Sequence, residues 1–109
     1  MEKVDIKKVK SMTGSHQEWF ISHLKNKKNA RIYLQVALEE YQEDHDREAF
    51  MLSLRNVAIA QGGIAHLASE THLNREHLYR LLSGKGNPTL DTLTVILQTL
   101  GMRIKLAVA

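Results

Sequence analysis

The feature that most restricts the fold is a pair of short helical patterns with almost no chain between them. Residues 64–82 read IAHLASETHLNREHLYRLL, with apolar residues at helical spacing on both sides of a turn. Two helices joined by three or four residues must cross at a steep angle, with their backbones close together. The small Ala68 favours that close approach, and His72 can supply the positive φ that the turn needs, although glycine does so with less strain. The segment therefore predicts a helix-turn-helix.

The second helix of this pair leaves long or planar hydrogen-bonding side chains outside the core. Leu73 fills the turn, Asn74 can cap the second helix, and Leu78 and Leu81 form its inner face. The outward residues are Asn74, Arg75, Glu76, His77, Tyr79 and Arg80. Side chains of these types at the N-terminal end of a helix suit the base edges and phosphates of a DNA major groove. Lys85 follows in a glycine-rich loop that suits a phosphate. The alternative, a helical hairpin whose polar residues face water, stays open.

The rest of the chain predicts an all-α fold, a compact bundle of about six helices with a short C-terminal β-strand. Further helices are expected at about 15–26, 30–43, 47–61 and 90–100. The last of these carries its apolar residues on one face, namely Leu90, Leu93, Ile96, Leu97 and Leu100. Apolar and charged residues then alternate over 102–108, as in a strand with one buried face. We divide the chain into an N-terminal arm at 1–14 and a single helical domain at 15–109, which holds the helix-turn-helix at 64–82 and the strand at 102–108.

Composition excludes several classes of protein. The 109 residues fit one domain, and the absence of cysteine excludes a disulfide framework, a thiolate metal site and a cysteine nucleophile. No apolar run reaches the roughly 20 residues of a membrane span, and the lysine-rich start lacks the apolar segment of a signal peptide. No phosphate loop, serine elbow or histidine pattern for zinc is present. We therefore expect a cytoplasmic protein with no enzymatic activity, no metal and no cofactor.

Charge is segregated along the chain, whose formal net charge is +3. Residues 1–31 hold eight Lys/Arg and three Asp/Glu, residues 32–54 hold one and six, and residues 55–109 hold six and three. A polyanion would be attracted to the last segment and repelled by the middle one. An unevenly charged solvated surface explains the same pattern, so charge alone does not decide the partner.

Several stretches give the chain, over about residues 15–109, a resemblance to a known class of proteins. They are Tyr33-Leu34, Ala37-Leu38-Glu39-Glu40, Leu54-Arg55-Asn56-Val57-Ala58, Gln61-Gly62-Gly63, Leu67-Ala68, Asn74 to Ser83, Gly86-Asn87-Pro88-Thr89-Leu90 and Leu100-Gly101. In their order and spacing they resemble the Cro/phage-repressor class of helix-turn-helix proteins. Within that class the chain is similar to the addiction-module antidotes, the HigA-like antitoxins that pair with RelE-type toxins.

The chain departs from that family at the start of the motif and at its turn. The family usually has glycine where this chain has His72, and a hydroxyl residue followed by glutamine where it has Ala65 and His66. Loss of the hydroxyl cap weakens the helix start by about 1 kcal/mol. His66 can still donate to a phosphate, as the family's glutamine is expected to. The changes bear on the operator sequence more than on the fold.

The resemblance implies a homodimer that binds a palindromic operator, represses its own toxin–antitoxin operon and neutralises a RelE/HigB-like ribonuclease toxin. Two-fold symmetry would also double the few base contacts of one recognition helix, at half-sites about 34 Å apart. The dimer contacts expected are Met102, Ile104 and Leu106, in a strand paired with its symmetry mate. The alternative is a strand paired within its own chain, with residues 3–9.

A toxin that binds RNA should be basic, so acidic residues are candidates for its docking surface. Glu39, Glu40 and Glu43 could meet it electrostatically. The first helix, with Trp19 and Phe20 as exposed candidates, competes as the docking surface because aromatic residues often anchor interfaces. Two further functions stay open, a stand-alone Cro-type repressor without a toxin and a scaffold that uses the motif only for protein contacts.

Overall fold

The computed structural model of the chain describes residues 14–109, and the regular structure in that range is helical. Its six helices are α1 (Gly14–His23), α2 (Lys27–Asp44), α3 (Arg47–Ala60), α4 (Ile64–Thr71), α5 (Arg75–Leu82) and α6 (Leu90–Thr99). The predicted all-α fold of about six helices is thus confirmed for these residues. Residues 1–13, which hold nearly all of the predicted N-terminal arm and the alternative strand partner at 3–9, lie outside the described residues.

Helix α3 is the centre of the bundle, because it packs against α1, α2, α4 and α5. Its apolar residues run nearly all round the helix, and Met51, Leu54 and Val57 are fully buried. The contact with α2 also holds a polar pair, in which Asn56 Nδ2 donates to Tyr33 Oη at 3.2 Å. The ring of Phe20 packs edge-on against Tyr33, with centroids 5.0 Å apart. These contacts join α1, α2 and α3 into one core, on which α4 and α5 pack, while α6 packs against α4.

Polar side chains and left-handed residues fix the helix boundaries. Asn26 caps α2 by accepting from the backbone N–H groups of Lys28 and Asn29, and Asp46 caps α3 by accepting from that of Ala49. Helix α2 is terminated by the residue that follows it, His45, whose φ of 55° is left-handed. Each boundary is therefore set by residues that satisfy or terminate the helical hydrogen bonds locally.

The predicted C-terminal strand is wrong for the single chain, because residues 102–109 form no strand. Helix α6 ends at Thr99, and the Met102 N–H donates back to the Leu97 carbonyl at 2.8 Å. A strand needs a neighbouring strand to complete its backbone hydrogen bonds, and no other residue in the range 14–109 supplies one. The inner-face prediction for α6 also fails at its first residue, since Leu90 is 71% exposed while Ile96, Leu97 and Leu100 are buried.

Candidate nucleic-acid interface

Helices α4 and α5 are joined by three residues, and the geometry of that turn follows its sequence. His72 lies at φ 59° and ψ 21°, which confirms the predicted left-handed conformation. Ala68 is buried, as a close approach of the two helices requires. The hydroxyl of Thr71 donates to the Leu67 carbonyl at 2.7 Å and accepts from the Leu73 N–H at 3.3 Å. The turn is therefore held by the last residue of α4 as well as by His72.

Asn74 fixes the start of α5 by a side-chain cap. Its Oδ1 accepts from the His77 N–H at 3.0 Å, as predicted for a residue at this position. The cap uses the side-chain oxygen and leaves the Nδ2 group as a donor for an outside acceptor. The inner face of α5 is formed by Leu78, Leu81 and Leu82, all of which are buried. Burial on one side and capping at the start set the direction in which the remaining side chains of α5 point.

The outward residues of α5 divide into three positions around the helix. At about 100° per residue, Glu76 and Arg80 lie opposite the buried side, Arg75 and Tyr79 lie on one flank, and His77 lies on the other. All five side chains are exposed. Neither Glu76 nor Arg80 forms an ion pair or hydrogen bond through its side chain within residues 14–109. Their charged groups are thus available to an outside molecule.

Arg75 and Tyr79 contact each other on their flank of the helix. The guanidinium carbon of Arg75 lies 5.6 Å from the centroid of the Tyr79 ring, within the range of a cation–π interaction. Arg75 is the first residue of α5, where the positive end of the helix dipole disfavours a cation by about 0.3–1 kcal/mol. The ring therefore holds a side chain that the helix itself does not attract.

Lys85 is exposed on a loop whose two glycines pack closely on the core. A Cβ at Gly84 would lie 2.5 Å from Glu48 Cγ, and a Cβ at Gly86 would lie 2.9 Å from Leu81 Cδ1. Gly84 also has a φ of 87°, which other residues rarely adopt. The loop therefore rests against the start of α3 and against α5, and the lysine between the glycines points away from the core.

The start of α4 forms a second polar region, and it includes a lysine that sequence reasoning missed. Gly63 precedes α4 without any side-chain cap, so the first N–H groups of the helix are open to an outside acceptor. His66 is exposed and lines a cavity there together with Lys27 and Gln61. Lys27 Nζ also donates to the Leu100 carbonyl at 3.4 Å. The basic run around Lys27 was visible in the sequence, but nothing in it placed the run beside His66.

The residues predicted for dimer and toxin contacts differ in how much of each side chain is exposed. Met102 is half-buried against its own core, whereas Ile104 is 39% exposed and Leu106 97%. Glu39 and Glu43 are exposed and Glu40 is half-buried.

The two aromatic candidates on α1 also differ in exposure. Trp19 is 65% exposed and stacks on His23, with centroids 5.5 Å apart. The prediction of an exposed Phe20 is wrong, because its ring is buried against Tyr33. Trp19 is thus the aromatic candidate that α1 offers to a partner.

Residues 14–109 contain neither a cluster of metal-binding side chains nor a membrane-spanning helix. No group of three or more histidine, aspartate or glutamate side chains is placed to hold a metal ion. No helix in this range combines the length and the apolar character that crossing a membrane requires.

These features define a small all-helical domain that presents a polar, arginine-bearing helix outside its core. The chain matches the sequence profile of the family described as "Probable addiction module antidote protein" over residues 17–108, and it belongs to that family. It is also 29% identical over 83 residues to a Haemophilus influenzae protein named "Uncharacterized protein", in a match that covers 76% of this chain and 80% of that protein. No solved structure matches the chain. An antidote regulates another protein, so the family implies a toxin partner and favours a non-enzymatic role.

Proposed function

We propose that the chain is a HigA-like antitoxin of a type II toxin–antitoxin module, with a Cro/phage-repressor-type helix-turn-helix at α4 and α5. As a homodimer it binds an operator, represses its own operon and neutralises a RelE/HigB-like ribonuclease toxin in the cytoplasm. The observation that carries the proposal is the antidote-family match across residues 17–108, which includes the exposed polar face of α5.

The exposed side chains of α5 suit the readout of bases. Arginine binds guanine through two hydrogen bonds, so Arg75 and Arg80 are the candidates for guanine. Glu76 can accept from the amino group of cytosine, while His77 can bond to a further base edge or to a phosphate. The Nδ2 group of Asn74 is left as a donor by the capping bond of its oxygen.

Two basic regions suit phosphates beside those bases. Lys85 lies after α5, and His66 and Lys27 lie at the uncapped start of α4. Contacts of this kind fix the register of a protein on DNA and make its affinity depend on salt. The proposed footprint therefore has base readout on α5 and phosphate contacts on either side of it.

The C-terminal segment is the proposed dimer contact. Ile104 and Leu106 are exposed apolar residues, and residues 102–109 complete no strand within the described chain. Pairing with the same segment of a second copy would satisfy the backbone groups and cover these side chains. Met102, half-buried on its own core, would anchor each segment at its start.

The test of the dimer compares two neighbouring residues. Leu106→Lys should give a monomer by light scattering, because it places a charge in the apolar contact. Ala107→Lys adds the same charge on the opposite face of an extended segment and should leave the dimer intact. Equal masses for both variants would contradict this contact.

The DNA-binding proposal is tested by gel shifts with the intergenic DNA upstream of the chain's own gene. Arg80→Ala should weaken binding by about 1–3 kcal/mol. Lys85→Ala should also weaken binding, and it should reduce the slope of log affinity against log salt concentration by about one, because one phosphate contact is lost. Arg31→Ala removes an exposed arginine from α2 and is the matched control for lost charge. Wild-type affinity in the Arg80 and Lys85 variants, or an affinity that does not vary with salt, would count against DNA binding.

The toxin proposal is tested with the product of the adjacent gene. A short neighbouring gene for a basic protein supports an antitoxin, and the lack of one favours the stand-alone repressor. If the acids form the docking surface, replacing Glu39, Glu40 and Glu43 with lysine should abolish toxin binding, because attraction becomes repulsion. Glu70→Lys with Asp91→Lys changes the exposed charge elsewhere and serves as the control. Trp19→Ala tests the competing surface on α1, and unchanged binding in the triple variant would exclude the acids.

A further inference from the structure

The Arg75–Tyr79 contact has no evident structural purpose on the surface of α5. Both side chains are exposed, with Tyr79 at 43%, and other residues form the buried face of the helix. A long arginine side chain normally samples many rotamers, and holding it in one geometry lowers the entropy that it loses on binding. The ring of Tyr79 limits this sampling, since it attracts the guanidinium from one turn further along the helix.

The position of the pair decides what a fixed guanidinium could reach. Arg75 begins α5, at the end of the helix that the proposed function directs toward base edges. Bidentate recognition of guanine needs the planar guanidinium in one orientation, whereas a phosphate accepts a cation from many directions. An aromatic ring that orients the guanidinium therefore contributes to base discrimination more than to general affinity for DNA.

We propose that Tyr79 is a positioning residue, which holds Arg75 in the orientation that reads one guanine in each operator half-site. The proposal rests on the DNA-binding function proposed above and adds to it the base and the residue that orients its reader. Tyr79 acts through the face of its ring, so its hydroxyl group is dispensable. Phenylalanine at this position keeps the contact and leucine removes it.

The experiment begins with a selection of DNA duplexes, because the operator is unidentified. Wild-type protein selects from a library with about 20 randomised base pairs, a length that covers two half-sites. Affinities for the selected duplex, and for duplexes with each G·C pair changed to A·T, are then measured for the wild type and four variants. The variants are Tyr79→Phe, Tyr79→Leu, Arg75→Ala and the double variant Tyr79→Leu/Arg75→Ala. Thermal melting checks that all four remain folded, as expected for changes at exposed positions.

The expected result is a pattern of coupling between the two residues. At one G·C position, the change to A·T should lower the affinity of the wild type about 5- to 150-fold. The same change should not lower the affinity of Arg75→Ala. Tyr79→Leu should bind the selected duplex about two- to fivefold more weakly per half-site and reduce the penalty at that position alone. Tyr79→Phe should match the wild type, and Tyr79→Leu should have no further effect when Arg75 is already alanine.

Three outcomes overturn the inference while leaving the proposed function intact. Additive effects of Tyr79→Leu and Arg75→Ala would show that Tyr79 contacts DNA by itself. A defect of Tyr79→Phe equal to that of Tyr79→Leu would assign the effect to the hydroxyl group. Unchanged penalties in Arg75→Ala would show that Arg75 reads no base. If the wild type selects no sequence at all, the proposed function fails, and this inference fails with it.

Discussion

Replacement of His72 by glycine tests how the α4–α5 turn is held. A non-glycine residue in the left-handed region is strained by roughly 1–2 kcal/mol, and histidine lies toward the tolerant end of that range. Glycine removes the strain but adds freedom to the unfolded chain, which costs about 0.4–1 kcal/mol. His72 is exposed and at φ 59°, so its replacement removes no packing. The free energy of unfolding should therefore rise by about 0–1 kcal/mol.

A second histidine of the same conformation provides the matched control. His45 ends α2 at φ 55°, but its ring also packs edge-on against Tyr41, with centroids 5.7 Å apart. An aromatic pair of this kind contributes about 0.5–1.5 kcal/mol. His45→Gly should therefore range from neutral to about 1 kcal/mol less stable, because the lost ring contact offsets the relief of strain. The two variants share the backbone effect and differ in the side-chain contact.

Urea unfolding followed by circular dichroism at the helical signal measures both variants against the wild type. The His72→Gly midpoint should be equal or higher, and its melting temperature should rise by up to about 6 °C for a domain of this size. A loss of more than about 1 kcal/mol in His72→Gly would refute the account of strain in the turn. Greater stability of His45→Gly than of His72→Gly would refute the role given to the Tyr41 contact.

Three further predictions concern glycine packing, capping and ionisation. Gly84→Ala should destabilise the fold by about 1–3 kcal/mol more than Gly63→Ala in urea unfolding, because both have positive φ but only the Cβ at position 84 would meet Glu48. Asn26→Ala should cost about 1 kcal/mol in the same assay, since it removes the cap of α2. Burial raises the pKa of Tyr33 above its ordinary value of 10.0, so the unfolded chain releases this proton first and stability falls as pH rises above that value. Tyr33→Phe should lose less stability than the wild type between about pH 9 and about pH 11.

The features predicted correctly from sequence are those that local chemistry decides. Asn74 caps α5 because its side chain reaches the N–H group three residues further along, which depends on nothing outside that turn. The left-handed conformation of His72 likewise follows from the shortness of the connection.

The features predicted wrongly are those that another element decides. Trp19 and Phe20 are adjacent apolar residues, and the core that contains Tyr33 buries Phe20 while Trp19 stays exposed. Leu90 has the spacing of an inner residue but begins α6 beyond the reach of the core. Alternation over 102–108 gives the period of a strand, yet a strand also needs a neighbour, and sequence period says nothing of whether the chain provides one.

The central position of α3 determines which experiments can separate function from stability. This helix packs against the helices that carry both proposed surfaces, α2 with the acids and α4 and α5 with the DNA-facing residues. A cavity at the fully buried Leu54 would cost about 2–5 kcal/mol, a large part of the 5–15 kcal/mol by which a domain of this kind is stable. Such a variant would lose toxin binding and DNA binding together, and the shared loss would not show that the two are linked. Exposed positions such as Arg80 and Glu43 avoid this problem, because a substitution there changes one surface and leaves the core that supports both.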